Sequence, residues 1–240
     1  MYFIGTATTS FAGSILVAKP HIYVQDHGYG GSKATKLTSI MDTATNNNVG
    51  VTDKFEDYSL MLQYDAIWLE TRSLTDTLSS AEFTNISNYI AAGHKVVMRG
   101  EAWAWNTWNN SILSVVGGTA EDKAANQSVH SVVDNNFTLG ASELYLNSGG
   151  IATGGKALYD VNFATLWGDN VLTILDMNVT GDGDDAAHTA FTENVVYWLA
   201  DAELPPRPDP STPIPEPSTM ALLGLGFIGL AGLGRKKLNG

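Results

Sequence analysis

Apolar residues along this chain come in short unbroken runs, and between those runs they recur every three or four positions. The runs suit strands buried on both faces, and the wider spacing suits helices with one buried stripe. Ile22, Tyr23 and Val24 read as a first strand, followed by a glycine turn at Gly28, Gly30 and Gly31. The stretch 33–47 predicts a helix turning Ala34, Leu37, Ile40, Met41 and Ala44 inward, with Val49, Gly50 and Val51 as a second strand. Ala66-Ile67-Trp68-Leu69 has a buried-strand pattern, and residues 77–92 predict a helix that ends at Gly93. Lys95-Val96-Val97-Met98 is the next strand, and 107–116 a helix closed by Gly117 and Gly118. The region 128–180 is strand-rich, with 143–147, 157–161 and 171–176 as antiparallel or edge strands. Residues 186–202 predict a last helix carrying Phe191, Val195, Val196, Trp198 and Leu199. This alternation predicts one three-layer α/β domain over residues 20–203, a mostly parallel sheet with helices on both faces.

The pattern breaks after residue 203. Of eight prolines, all but Pro20 fall between 205 and 217. Proline fixes φ and removes an amide donor, so 204–214 reads as an extended linker. An uncharged run follows at 220–233, 14 residues long, and Arg235, Lys236 and Lys237 close it. As a helix it spans about 21 Å, short of the roughly 30 Å hydrocarbon core. Ser218, Thr219 and Gly234 lengthen it, and the basic side chains can snorkel. The expectation is a C-terminal hydrophobic helix held in the membrane, with the main domain outside, because positive flanks stay cytoplasmic. At the other end, residues 1–19 read as a truncated signal peptide, apolar from 11 to 18 yet lacking any Lys or Arg before Lys19. The alternative is that residues 14–18 belong to the domain.

Composition narrows the chemistry. The net charge is −12 and the pI near 4.6, which argues against nucleic acid as a partner, since phosphate binding needs clustered Lys and Arg. There is no cysteine, which excludes thiolate nucleophiles, Cys-based zinc sites and iron–sulfur clusters. Ligands of an open parallel sheet bind outside the carboxyl ends of its strands. That rule collects Asp26 and His27, Glu70 and Arg72, and Arg99 and Glu101 into one crevice. Its carboxylates, Glu70 and Glu101, could divide acid and base roles in glycoside hydrolysis, could help hold a hard cation, or could be ordinary capping and ion-paired groups. Trp103 and Trp105 share a face if extended, and their rings suit sugar stacking as well as packing, as does that of Trp108. Residues 176–185 place oxygen side chains at alternate positions, as calcium loops do, but lack the closing glutamate. A turn into the last helix, with Asp185 or a neighbour as its cap, accounts for them better. His94, His130 and His188 lack metal-ligand spacing, no Gly-x-Ser-x-Gly elbow occurs, and the glycine pairs 149–150 and 154–155 read as hairpin turns. No metal and no cofactor is expected.

Two resemblances add to this. Ile214-Pro215-Glu216-Pro217-Ser218-Thr219, a Gly/Leu-rich apolar segment and Arg235-Lys236-Lys237 occur in the order of the PEP-CTERM sorting signal, and residues 215–238 closely resemble it. That resemblance implies an exosortase as partner, cleavage near Pro215-Glu216-Pro217, a Gram-negative cell envelope, and an association with exopolysaccharide and biofilm. The body resembles the class I glutamine amidotransferase-like, flavodoxin-type fold at Tyr64-Asp65-Ala66-Ile67-Trp68-Leu69, in the passage 89–98 and in the helix 191–199. Active members of that class place a cysteine in a tight turn after a strand. Here the turn is Arg99-Gly100-Glu101-Ala102-Trp103, with Glu101 in the nucleophile's place, so amidotransferase chemistry does not carry over. The expectation is a non-catalytic, envelope-targeted binding domain. Its rivals are an extracellular glycan hydrolase using Glu70 and Glu101, and a purely structural membrane-tethered protein.

Overall fold

The computed structural model describes residues 13–20, 24–181 and 185–206. In chain order the elements are β1 (Ile15–Ala18), α1 (Thr35–Ala44), β2 (Val49–Thr52), α2 (Tyr58–Met61), β3 (Ala66–Leu69), α3 (Ser80–Ala91), β4 (Lys95–Arg99) and α4 (Asn106–Ser114). Then come β5 (Thr119–Ala125), β6 (Ser128–His130), β7 (Glu143–Tyr145), β8 (Gly149–Thr153), β9 (Lys156–Ala157), β10 (Ala164–Trp167), β11 (Val171–Ile174) and α5 (Ala186–Leu199). The central sheet has seven strands in the order β2-β1-β3-β4-β11-β10-β9. From β2 to β11 all neighbours are parallel, and β10 and β9 extend the sheet antiparallel.

Alternation along each strand sorts the core into two layers. Ile15, Val17, Ala66, Trp68, Val97, Leu172 and Ile174 face α1 and α5, where Leu37, Met41, Phe191 and Val195 cover them. Leu16, Ala18, Ile67, Leu69, Val96 and Met98 face the other way, against Ile86 and Tyr89 of α3 and Trp108 and Ile112 of α4. Register carries the second set across the sheet as one row, with Leu16 beside Ile67, Ile67 beside Val96, and Val96 beside Val171. Each such side chain contributes about 1.5–3 kcal/mol by leaving water. The fold is thus a three-layer α/β domain with a mostly parallel sheet, as the hydropathy pattern predicts.

Several expectations are corrected. The first strand among the described residues is β1; of the expected strand 22–24, Ile22 and Tyr23 lie outside those residues, and Val24 precedes a single 3-10 turn at Gln25–His27. Every residue of β1 is buried and paired on both sides, so 15–18 form an interior strand of the sheet. Their uncharged apolar run is the mark of an interior strand. Likewise β11 is no edge strand. It lies inside the sheet, antiparallel to β10 as expected and parallel to β4 on its other side. Gly149 and Gly150 do not form a turn but open β8, which pairs with β5, whereas Gly154 and Gly155, both at positive φ, do turn the chain. Of 157–161 only Ala157 is in a strand.

Capping marks the helix starts. Ser79 and Glu82 form a reciprocal capping box on α3, and Asp185 caps α5 by accepting from the His188 amide at 2.8 Å. The end of α5 lies beside the amino ends of the strands: Gly13 N donates to Ala200 O at 2.8 Å, and Lys95 Nζ donates to Trp198 O at 2.7 Å and pairs with Asp201. The last described residues therefore leave the sheet at the pole opposite the strand carboxyl ends. Among the described residues no helix is long and apolar enough to cross a membrane. The expected helix at 220–233 lies outside them.

Candidate functional site: the carboxyl ends of the strands

Arg99, the last residue of β4, ties four segments together. Its Nη1 donates to Glu70 Oε2 at 2.6 Å, just past the end of β3, and both Nη atoms reach His27 O at 3.2 Å. Nη2 also donates to Met177 O at 2.7 Å, just past β11. The second oxygen of Glu70 accepts from the Tyr29 amide at 2.8 Å. Glu70 and Arg99 are each 1% exposed. A buried pair with these backbone ties secures the loops around it, although Arg99 Nε is buried without a partner, and removing either member would leave an uncompensated charge.

Arg72 is engaged elsewhere. It forms a bidentate pair with buried Glu82, with Nη1 at 3.0 Å from Oε2, and its guanidinium lies 5.2 Å from the centre of the Trp108 ring. Burial pushes the Glu82 carboxyl upward, but the hydrogen bonds and charge of Arg72 outweigh it and hold the group below the usual carboxylate range.

Glu101 faces inward and is 4% exposed. The turn that carries it is clamped by Asn109 of α4, whose amide accepts from Glu101 N at 3.1 Å and donates to Glu101 O at 2.6 Å. Gly100 permits this approach, because a Cβ there would meet Asn109 Oδ1 at 2.2 Å. Glu101 Oε2 accepts from the Met177 amide at 2.9 Å, while buried Asp176 accepts from the Asn147 and Asn178 amides, each at 3.0 Å. Burial raises both carboxyls, and the charge of Asp176 raises Glu101 further. Two carboxyls so placed retain protons that exposed ones would shed.

The crevice residues are therefore only partly brought together. Glu70, Arg99 and the backbone of His27 meet, Glu101 meets Asp176 instead, and Arg72 pairs with Glu82. Asp26 lines a surface cavity with Lys19, Tyr29 and Gly30. The tryptophans diverge. Residues 103–105 form a 3-10 turn rather than an extended stretch, so Trp103 and Trp105 do not share a face. Trp103 is 55% exposed, Trp105 donates to Arg72 O at 2.8 Å, and Trp108 is buried, donating to Arg99 O at 2.8 Å. Asp176 caps a 3-10 turn at Met177–Val179, and among the described residues no group of three or more His, Asp or Glu could hold a metal ion. Sequence reasoning missed Asn109, and it read Asp176 as the end of the strand 171–176 and the start of a turn without relating it to Glu101. The position of Asp176 directly after the apolar run 171–175 was the available signal.

The fold and this arrangement define a mixed α/β domain whose strand-end charges are satisfied internally. Solved structures agree on that fold. A ThuA-like protein from Bacteroides uniformis is similar with a TM-score of 0.59 at 13% identity, covering 83% of this chain and 95% of that one. The mmIFT52 N-terminal domain gives 0.57 at 12% identity, covering 78% and 97%. At these identities the likeness is one of fold alone. No curated protein sequence matches the chain significantly. Residues 213–236 match the PEP-CTERM protein-sorting motif, which marks the chain as an exosortase-sorted protein targeted to the cell envelope of a Gram-negative bacterium, with its C-terminus associated with the membrane.

Proposed function

We propose that the sorted protein binds exopolysaccharide of the biofilm matrix through its α/β domain and does not turn it over. The observation that carries this reading is the state of the strand-end carboxylates. A glycosidase needs two carboxyl groups reaching the scissile bond from either side. Both oxygens of Glu70 are taken by Arg99 and the Tyr29 amide, and Glu101 points into the protein toward Met177 and Asp176. An association with extracellular polysaccharide is also what the sorting motif's resemblance implies. The test is to recover the full chain from an exosortase-bearing host and mix it with that host's extracellular polysaccharide. Co-sedimentation without new reducing ends is the expected result. Release of reducing ends would establish the hydrolase instead, and failure to co-sediment would leave a purely structural tethered protein. In the same host the Pro215→Ala, Glu216→Ala, Pro217→Ala variant should keep its tail by intact mass while the wild type loses it.

A further inference from the structure

The two edges of the central sheet differ in character. At one side β9 is two residues long, carries Lys156, and follows a turn in which Gly154 and Gly155 both take positive φ. Shortness and a lysine are the means by which proteins blunt an edge against pairing. At the other side β2 is four residues, Val49-Gly50-Val51-Thr52, with no charge, no proline and an unbroken register on β1. We propose that β2 is a pairing edge and that its occupant is the β2 of a second copy of this chain, joined antiparallel about a two-fold axis at Gly50. Such a dimer stands whether or not the domain holds polysaccharide.

The ladder shows which groups are free. Ile15 N donates to Asn48 O at 3.2 Å and Lys19 N to Thr52 O at 2.9 Å, so residues 48, 50 and 52 turn their peptide groups toward β1. In a parallel pair the residues between them face the other way, and the N–H and C=O of Val49 and Val51 point out of the sheet. Among the described residues no strand pairs with that side. The Val51 side chain is 45% exposed as well. A row of outward peptide groups with an exposed valine on it is a template for another strand.

Symmetry and side chains choose the register. An axis at Gly50 sets Val49 of each copy opposite Val51 of the other, giving two hydrogen-bonded pairs in which the valines cover each other. The two Gly50 residues face across the narrow site between those pairs. A Cβ on Gly50 would meet the Tyr64 hydroxyl at 2.0 Å, so Tyr64 already fills that face at the axis. Farther out Asn48 meets Thr52 and Asn47 meets Asp53, and no like charges stand opposite. An axis at Val51 would instead set Val49 against the Asp53 carboxylate. An isologous contact needs a surface complementary to itself, and residues 47–53 meet that condition. The net charge of −12 opposes the approach of two copies, and salt screens that repulsion.

The test exploits the absence of cysteine from the chain. Protein recovered from an exosortase-bearing host should show a reversible monomer–dimer equilibrium by sedimentation velocity, strengthened by salt. Val51→Pro, which removes only an outward N–H, and Val51→Lys, which adds the guard this edge lacks, should each weaken association by roughly tenfold or more, with circular dichroism unchanged. The Asn48→Cys, Thr52→Cys variant should form a disulfide-linked dimer under mild oxidation, because opposite residues at non-hydrogen-bonded sites stand about 4.5 Å apart at Cα. Either cysteine alone should not link, since in this register each lies about 14 Å from its own counterpart. A wild type that stays monomeric overturns the dimer, as does one whose association ignores both Val51 variants, which would place the contact on another surface. A double-cysteine variant that does not link, or single ones that link as readily, overturns the register. Val49 and Val51 amides already protected from exchange in the monomer would mean that the chain covers this edge itself, and would overturn the assignment to a second copy.

Discussion

Two pairs of buried charged groups lie side by side at the carboxyl ends of β3, β4 and β11, and they are stabilised differently. Glu70 is met by a cation: Arg99 stands 2.6 Å away, and its Nη atoms also donate to the backbone carbonyls of His27 and Met177. Glu101 and Asp176 accept from backbone amides and act on each other, while His188 acts on Asp176 and Arg99 acts on both through charge alone. A buried carboxyl must find a counter-charge or keep its proton. The first arrangement is intolerant of truncation. The second tolerates a neutral isostere and responds to pH.

The largest effect should come from breaking the ion pair. Arg99→Met leaves Glu70 buried without its partner and should cost about 3–5 kcal/mol in denaturant unfolding. Adding Glu70→Gln should restore part of that loss, since two uncharged groups need no counter-ion. A double variant as unstable as the single one would mean that the bonds of Arg99 to His27 O and Met177 O, not the charge pair, hold this corner. Next in size is the floor beneath the acid pair. A Cβ on Gly150 would meet Glu101 O at 2.6 Å and Asn109 Nδ2 at 3.0 Å, so Gly150→Ala should cost about 1–3 kcal/mol by overpacking, read by thermal melting.

The contrast between the pairs also explains what the sequence discloses. The strands β2 to β4 and the helices α1, α3 and α4 are legible because each is a local pattern: an unbroken run such as 66–69, or a stripe such as Leu37, Met41 and Ala44; the single turn α2, at Tyr58–Met61, carries no such pattern. β1 too is visible as an apolar run, one that also reads as part of a leader. The strand β5 is not legible, because Glu121, Asp122 and Lys123 lie in its middle and its pairing with β8 is irregular between Ala120 and Ala124. Gly149 and Gly150 read as a turn because the reason for their smallness, the approach of Asp176 and Glu101, is a tertiary fact. At the site, the strand-end rule finds Glu70, Arg99 and Glu101 but cannot pair them. Arg99 could equally have met either carboxylate, and the choice is made by register and by the turn that Asn109 clamps.

The acid pair gives the third prediction. The carboxyls of Glu101 and Asp176 are raised in the folded protein, so above the ordinary carboxylate range near pH 4 the folded state holds protons that the unfolded chain has lost. Stability must then fall as pH rises toward neutrality and beyond, by up to about 1.4 kcal/mol per pH unit for each retained proton. It is fully present below the unfolded value and lost as pH climbs through the raised one. Glu101→Gln keeps an acceptor for the Met177 amide and removes the titration. It should flatten this slope and stabilise the protein on the alkaline side, as followed by urea unfolding between pH 4 and 9. An unchanged slope would place the titration on other groups.

The smallest effect tests where the satisfied interior ends. Trp103 follows Glu101 by two residues, yet it is 55% exposed, whereas Trp105 donates to Arg72 O and packs against the layer beneath. Trp103→Ala should change stability by no more than about 0.5 kcal/mol, as exposed substitutions do, and should leave the pH slope intact. Trp105→Ala should cost more, because it removes packing and leaves the Arg72 carbonyl without its donor. Equal losses in the two variants would mean that the 103–105 turn acts as one packed unit. The interior would then extend to Trp103, and the ring's exposure would no longer mark it as the edge of the domain's packed interior.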